Sequence, residues 1–188
     1  MDYKDFEDSE LREVKIDGAD VYDGVLLHVK KDRVRLPNGK TSVREYIRHI
    51  GAVCVVPVTD DGKVIVEHQF RYPMDEVIVE IPAGKLDSRS EDIEAAARRE
   101  LLEETGITAG KMIYMGQFVP TCAYSNESIH MYLAKNLTFG DRKLDEDEFL
   151  NVSSVPLDDL VADILSGKIK DGKTQAAVLK AYLMLKGM

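Results

Sequence analysis

"AGKLDSRSEDIEAAARRELLEETGI" occupies residues 83–107. Asp92 ahead of an alanine-rich run and Gly106 behind it predict a helix over residues 92–105. The core-facing row of such a helix follows i, i+4, i+7, i+11. From Ile93 that row reads Ile93, Ala97, Glu100, Glu104. Its first half is small and apolar, its second half is carboxylate, and Glu103 flanks the same side. Like charges at i, i+4 repel, and burying them is costly. Two readings follow. Either this end of the helix projects into solvent and Arg98 or Arg99 neutralises it, or divalent cations hold the carboxylates together. Carboxylate-dominated ligation suits Mg²⁺ or Mn²⁺.

Strands surround the helix. Upstream, "GAVCVVPV" from Gly51 reads as a buried strand, and "DDGK" (60–63) turns the chain into "VIVEHQF". "EVIVEIPAG" (76–84) reads as one further strand leading into the helix. Downstream, "IYMGQFVPT" and "ESIHMYLAKNL" read as strands, and "VPLDDLVADILSGK" and "KTQAAVLKAYLML" as helices. This order predicts an α/β fold with helices on both sides of a mixed sheet. Residues 1–48 are different. Val21, Val25, Leu27, Val29, Val34 and Leu36 alternate with polar residues, and "PNGK" (37–40) signals a turn. They predict a small antiparallel sheet with too little apolar bulk for its own core, packed on something else, such as a second subunit. The domain reading is therefore 1–48 for this sheet and 49–188 for the main domain.

Composition narrows the function classes. The chain has 188 residues, enough to fold as one domain without disulfides. Its two cysteines form no disulfide framework or zinc site, so a reducing cytoplasm is expected. Cys54 lies in an apolar run and reads as core. A net charge of -9 argues against general nucleic-acid binding, and the apolar runs are too short to span a membrane. His28, His49, His68 and His130 are scattered and are assigned no chemistry.

The spacing of residues 84–107 resembles the Nudix box, the signature of hydrolases acting on nucleoside diphosphates linked to another moiety. That signature is a glycine, five residues, a glutamate, seven residues, then Arg-Glu-aliphatic-any-Glu-Glu-any-Gly-aliphatic. Glu91, Arg99-Glu100-Leu101, Glu103-Glu104 and Gly106-Ile107 match it in full. Six residues rather than five separate Gly84 from Glu91, which lengthens the loop ahead of the helix. "EHQFRYPMDEVIVEIPAGKLD" (67–87) and "IKDGKTQAAVLKAYL" are similar to ADP-ribose pyrophosphatases of the family, so the resemblance covers roughly residues 20–185. It implies an α/β/α sandwich around a mixed sheet, with the N-terminal sheet helping to form a homodimer.

It also implies site residues. Metal ligands would be Glu100, Glu104 and the Ala83 carbonyl, with Glu103 as a third carboxylate. Arg99 would orient a box glutamate, and Glu91 would be structural. In these relatives the base lies on an acidic loop outside the box, placed after the last strand. Here the matching segment is "LDEDEFLNV" (144–152), with Glu146 as base and Glu148 as a supporting metal partner; Asp145 and Asp147 are the alternatives in register. Arg71 matches a phosphate-binding arginine, where a surface ion pair is the competing role. Arg44 and Glu45 occupy the nucleotide-contacting stretch, and Glu127 the loop near the terminal ribose. Tyr22 and Tyr46 are candidates to stack on the base. The expected reaction is Mg²⁺-dependent (or Mn²⁺-dependent) cleavage of ADP-ribose to AMP and ribose 5-phosphate. The rivals are a Nudix hydrolase of another diphosphate, such as a nucleotide sugar, and a non-catalytic nucleotide-binding regulator.

Overall fold

The computed structural model describes residues 8–144 and 149–187. The chain divides into two compact units. One comprises the residues up to His49 together with Thr121–Glu127; the other comprises Ile50–Pro120 and the chain from Ser128 onward.

In the first unit, β1 (Val14–Asp23), β2 (His28–Arg35) and β3 (Thr41–Ile47) form an antiparallel sheet in that order. The turn predicted at 37–40 is present, with the Leu36 amide donating to the Lys40 carbonyl at 2.8 Å and Gly39 at φ 79°. β1 is exposed along its whole length, and Val14, Val21 and Tyr22 are each more than half accessible. The centre of the sheet holds a buried charge. Asp32 accepts from Lys15 Nζ at 2.7 Å and from the Tyr46 hydroxyl at 2.9 Å. Gly18 stands directly opposite Asp32, and a Cβ there would lie 1.9 Å from its carboxylate. The segment Thr121–Glu127 is knitted to the end of β3. The Ile47 amide donates to the Tyr124 carbonyl at 2.8 Å, and the His49 amide to Asn126 Oδ1 at 2.8 Å.

The second unit holds the predicted mixed sheet. Its strands are β4 (Ala52–Pro57), β7 (Ala83–Lys85), β8 (Ile107–Phe118) and β9 (Ile129–Phe139), in the order β7-β4-β9-β8. β4 pairs parallel with β9; the other pairs are antiparallel. All six residues of β4 are buried, as expected of a central strand covered on both faces. On one face Val53, Val55, Tyr132 and Ala134 pack against Ala96, Ala97 and Leu101 of α1 (Ile93–Thr105). On the other, Cys54, Val56, Met131 and Leu133 pack against α2 (Leu157–Leu165) and α3 (Gly172–Leu185) through Leu160, Ile164, Ala177 and Val178. A second, antiparallel sheet runs β10-β5-β6, from β5 (Lys63–Arg71), β6 (Glu76–Glu80) and β10 (Leu150–Pro156).

Two sequence expectations change. Residues 76–84 are not one strand. β6 stops at Glu80, and β7 begins at Ala83 in the other sheet. Pro82 lies between them; with no N–H it cannot continue a ladder, so the chain changes sheets there. Residues 150–156, which the sequence pattern places across the end of a loop and the start of a helix, form β10 against β5. The acidic segment therefore precedes the last strand instead of following it.

Candidate active site

Both ends of α1 are set by local chemistry. Asp92 caps the N-terminus by accepting from the Ala95 amide at 2.8 Å, and Gly106 closes the C-terminus at φ 72°. A Cβ at Gly106 would lie 2.4 Å from the Gly140 carbonyl, so the chain leaving β9 passes directly over the end of the helix.

The carboxylate half of the helix row does not project into solvent. Glu104 is 4% exposed, and its Oε2 accepts from the Ala83 amide on β7 at 2.9 Å. Glu100 lies one turn back, over Gly84. A Cβ on Gly84 would fall 2.0 Å from the Glu100 Cδ and 2.2 Å from each carboxylate oxygen. The glycine that opens the box is thus the space that the Glu100 carboxylate fills.

Arg99 supplies the positive charge. Its Nη1 donates to Glu100 Oε1 at 2.7 Å and to Glu103 Oε2 at 3.1 Å, and its Nη2 and Nε each lie 3.3 Å from Glu91 Oε1. Partial burial opposes the charge on Arg99, but the Glu100 carboxylate first, with Glu103 and Asp87, outweighs it and holds the guanidinium firmly protonated. Glu91 uses its second oxygen to accept from the Asp87 amide at 2.6 Å, which closes the lengthened loop onto the helix. Arg98 faces away, bonded to Glu94 and to the Ala109 carbonyl.

The hard carboxylate oxygens of Glu100, Glu103 and Glu104, one of them buried, and the room left by Gly84 make a donor set of the kind that Mg²⁺ or Mn²⁺ takes. As they stand, no three His, Cys, Asp or Glu side chains among the described residues are gathered closely enough to hold an ion. The Arg99 guanidinium bridges Glu100 and Glu103.

Arg71, at the end of β5, is not in a simple surface pair. Its Nε and Nη2 reach both oxygens of Glu80, at 2.5 and 2.9 Å, and Glu80 is 3% exposed. Lys173 from α3 bonds the same carboxylate. Burial pushes the Glu80 carboxyl up, but Arg71 and Lys173 outweigh it and hold it below the usual glutamate range. Sequence reasoning missed Glu80 and Lys173. The hairpin register sets Glu80 opposite Glu67, not Arg71, and Lys173 comes from a distant helix, so no local spacing signals either contact.

The remaining candidates separate. Arg44, Glu45 and Glu127 belong to the N-terminal unit. There Arg44 Nε donates to Glu13 at 2.9 Å, Glu45 pairs with Lys31 at 2.9 Å, and Glu127 lies 3.9 Å from His49 Nδ1. Tyr46 commits its hydroxyl to Asp32, while Tyr22 is exposed on β1. His68 bonds Ser153 at 2.8 Å, His130 bonds Tyr114 at 3.1 Å, and His28 pairs with Asp23. Asp145, Glu146, Asp147 and Glu148 lie outside the described residues. Just ahead of them, the Lys143 amide donates to the Glu103 carbonyl at 2.9 Å, which ties residue 143 to the end of α1.

A family model described as the NUDIX domain matches residues 48–178. The chain belongs to the Nudix family. This Nudix chain is similar to an ADP-ribose pyrophosphatase of Bacillus subtilis (strain 168), with 43% identity over 178 residues, 94% of this chain and 95% of that protein. It is also similar to a methanol dehydrogenase activator of Bacillus methanolicus, with 41% identity over 167 residues, 88% of this chain and 89% of that protein. A crystal structure of an ADP compounds hydrolase has the same fold, at a TM-score of 0.84 and 23% identity, covering 94% of this chain and 95% of that one. The protein is a Nudix hydrolase, and its reaction class is pyrophosphate hydrolysis. Nudix hydrolases generally use divalent metal ions. No helix among the described residues is long and apolar enough to cross a membrane.

Proposed function

We propose that the protein hydrolyses ADP-ribose to AMP and ribose 5-phosphate, using Mg²⁺ or Mn²⁺. One observation carries the reading. The buried Glu104 carboxylate is fastened to the Ala83 amide while Glu100 fills the space over Gly84, so two carboxylates converge on one short strand. The choice of ADP-ribose is supported by the similarity to the B. subtilis enzyme of that name over nearly the whole of both chains.

Glu100, Glu103, Glu104 and the Ala83 carbonyl would hold the metal, with Glu148 as a further partner. When bound, the cations neutralise the diphosphate oxygens and lower the pKa of a bound water. The chain's own residues do the rest. Arg99 aligns the Glu100 and Glu103 carboxylates. Arg71 offers a guanidinium to the diphosphate. Glu146 takes the proton of the attacking water as its oxygen bonds to phosphorus and the bridging P–O bond breaks. Arg44, Glu45 and Glu127 are assigned to the nucleotide and the terminal ribose. The exposed apolar residues of β1 are assigned to a homodimer interface, and light scattering should return twice the 21.1 kDa chain mass. Two cysteines that form no disulfide fit the cytoplasm.

A panel of nucleoside diphosphate derivatives with Mg²⁺, scored by released products, tests the assignment. AMP and ribose 5-phosphate should appear from ADP-ribose, and EDTA should stop their release. If a nucleotide sugar is consumed while ADP-ribose survives, the substrate assignment fails. The similarity to a methanol dehydrogenase activator favours one second reading, a regulator that acts on a partner enzyme. Cleavage of no diphosphate in the panel would select it.

A further inference from the structure

We propose that Glu80 is a positioning residue that presents the outer edge of Arg71 to the substrate diphosphate, with Lys173 holding Glu80 in place. The inference rests on the reading of Arg71 as a diphosphate contact. A buried glutamate on a strand is costly unless it is paired and hydrogen-bonded. Glu80 meets that condition through two separate elements. From β5, Arg71 grips both of its oxygens in a parallel fork, at 2.5 and 2.9 Å. From α3, Lys173 bonds Oε2, and its side chain is only 12% exposed.

This fork uses the Nε and Nη2 of Arg71. Nη1 makes no hydrogen bond to any described side chain or carbonyl, and the Arg71 side chain is 41% exposed. One edge of the guanidinium is therefore locked on a buried carboxylate, and the other makes no hydrogen bond among the described residues. That is the arrangement in which a planar fork loses least freedom on binding a phosphate. Lys173 matters for the hold on Glu80: it bonds Oε2 from α3, while Asp171, 3.1 Å from its Nζ, balances its charge.

The clamp is built on a fixed base. Asp171 lies 3.1 Å from Lys173 Nζ and caps α3 by accepting from the Thr174 amide at 2.9 Å. The fully buried Thr174 hydroxyl in turn accepts from the Ile81 amide at 3.0 Å, next to Glu80. Two residues further along, the Ala83 amide holds Glu104. The same stretch of backbone thus sets both the carboxylate that orients Arg71 and the strand against which the box carboxylates lie.

The test is a double-mutant cycle on Glu80 and Arg71, run with whichever diphosphate the wild type hydrolyses, or with ADP binding by calorimetry if it hydrolyses none. Failure of the wild type on ADP-ribose bears on the function reading alone. Glu80→Gln should raise KM about tenfold and leave kcat within about twofold, because misorientation of a binding group weakens the hold on the substrate. Arg71→Ala should raise KM at least as far, and the double variant should be no worse than Arg71→Ala. Glu80→Asp keeps the charge but withdraws the carboxylate, and should give the same KM change with the fold retained if Glu80→Gln fails to fold. An unchanged KM in folded Glu80→Gln or Glu80→Asp overturns the proposal, as do KM effects that multiply in the double variant. In the calorimetric version the dissociation constant replaces KM, and an equal affinity for ADP in all variants has the same meaning.

Discussion

Gly84→Ala isolates the geometry of the box without touching a charged group. A Cβ built on Gly84 lies 2.0 Å from the Glu100 Cδ, so the carboxylate must retreat by about 1.5 Å to restore an ordinary contact of about 3.5 Å. What moves is the far end of a flexible side chain, so the fold absorbs the change cheaply. Gly84 is not among the positive-φ glycines, so alanine meets no backbone penalty there and gains about 0.4–1 kcal/mol through the unfolded state. Against that stands a weakened 2.7 Å bond from Arg99 to Glu100. The two effects are of similar size, and the melting temperature without metal should stay within about 4 °C of wild type. Function should not survive as well. A misplacement of about 1 Å in a reacting constellation costs about a hundredfold in rate. Product release measured across a Mg²⁺ series should therefore fall by about that factor, with a higher Mg²⁺ requirement. A Gly84→Ala protein with wild-type turnover and wild-type Mg²⁺ dependence would refute the placement of Glu100 in the reaction. A collapse in melting temperature would show instead that the backbone, not the side chain, had given way.

Other expectations follow from the same geometry. Glu104→Gln keeps an oxygen for the Ala83 amide but removes a charge one turn from Glu100, so stability without metal should hold or rise while Mg²⁺ affinity falls; high Mg²⁺ should partly restore turnover, as a titration will read. Glu146→Gln should cut the rate by roughly two to four orders of magnitude with no rescue by Mg²⁺; a dead Glu148→Gln beside a near-normal Glu146→Gln would move the base within the acidic segment. Burial pushes the Cys54 thiol up to about 12, whereas Cys122 is exposed, so a thiol reagent should count one group in the native protein and two after denaturation. Glu80 has a folded pKa below its unfolded one, so its stabilisation is complete above the unfolded value and is lost as pH falls through the folded value. Acid melts of wild type should thus steepen below the ordinary glutamate range, and Glu80→Gln should flatten that part of the curve.

What could be read from sequence was what local chemistry decides. The limits of α1 follow from Asp92 and Gly106; the 3.6-residue row from Ile93 holds the buried Ala97 and Glu104 but omits Ala96 and Leu101, which also pack on the sheet. The failures came where a distant partner decides. The apolar alternation of residues 76–84 runs through Pro82 without a break, but β6 pairs with β5 and β7 with β4, and no local term reports that change. β10 was missed because "LNVSSVP" is weakly apolar and is made a strand by β5, some 85 positions earlier for the Ser153–His68 contact. Arg71 was noticed, but its partner Glu80 lies off the cross-strand register and its second partner comes from α3.

The acidic row of α1 admits two readings from sequence, solvation with Arg98 or Arg99 to neutralise it or a bridging cation, and the structure keeps the arginine of the first but not the solvation: Glu104 is buried. The protein itself supplies much of the compensation: an amide from Ala83 to Glu104, space at Gly84 for Glu100, and Arg99 between Glu100 and Glu103. A helix can therefore end its buried row in carboxylates when the chain's own groups meet them. The consequence is energetic. A cation that binds these oxygens gains only the difference between its own attraction and that of the arginine already there. On the proposed metal assignment, its hold would be set by how far Arg99 can yield towards Glu91 and Asp87, which lie 3.3 and 3.6 Å away on the same guanidinium. Glu91 and Asp87, on the loop that precedes the helix, would then tune metal binding without touching the metal.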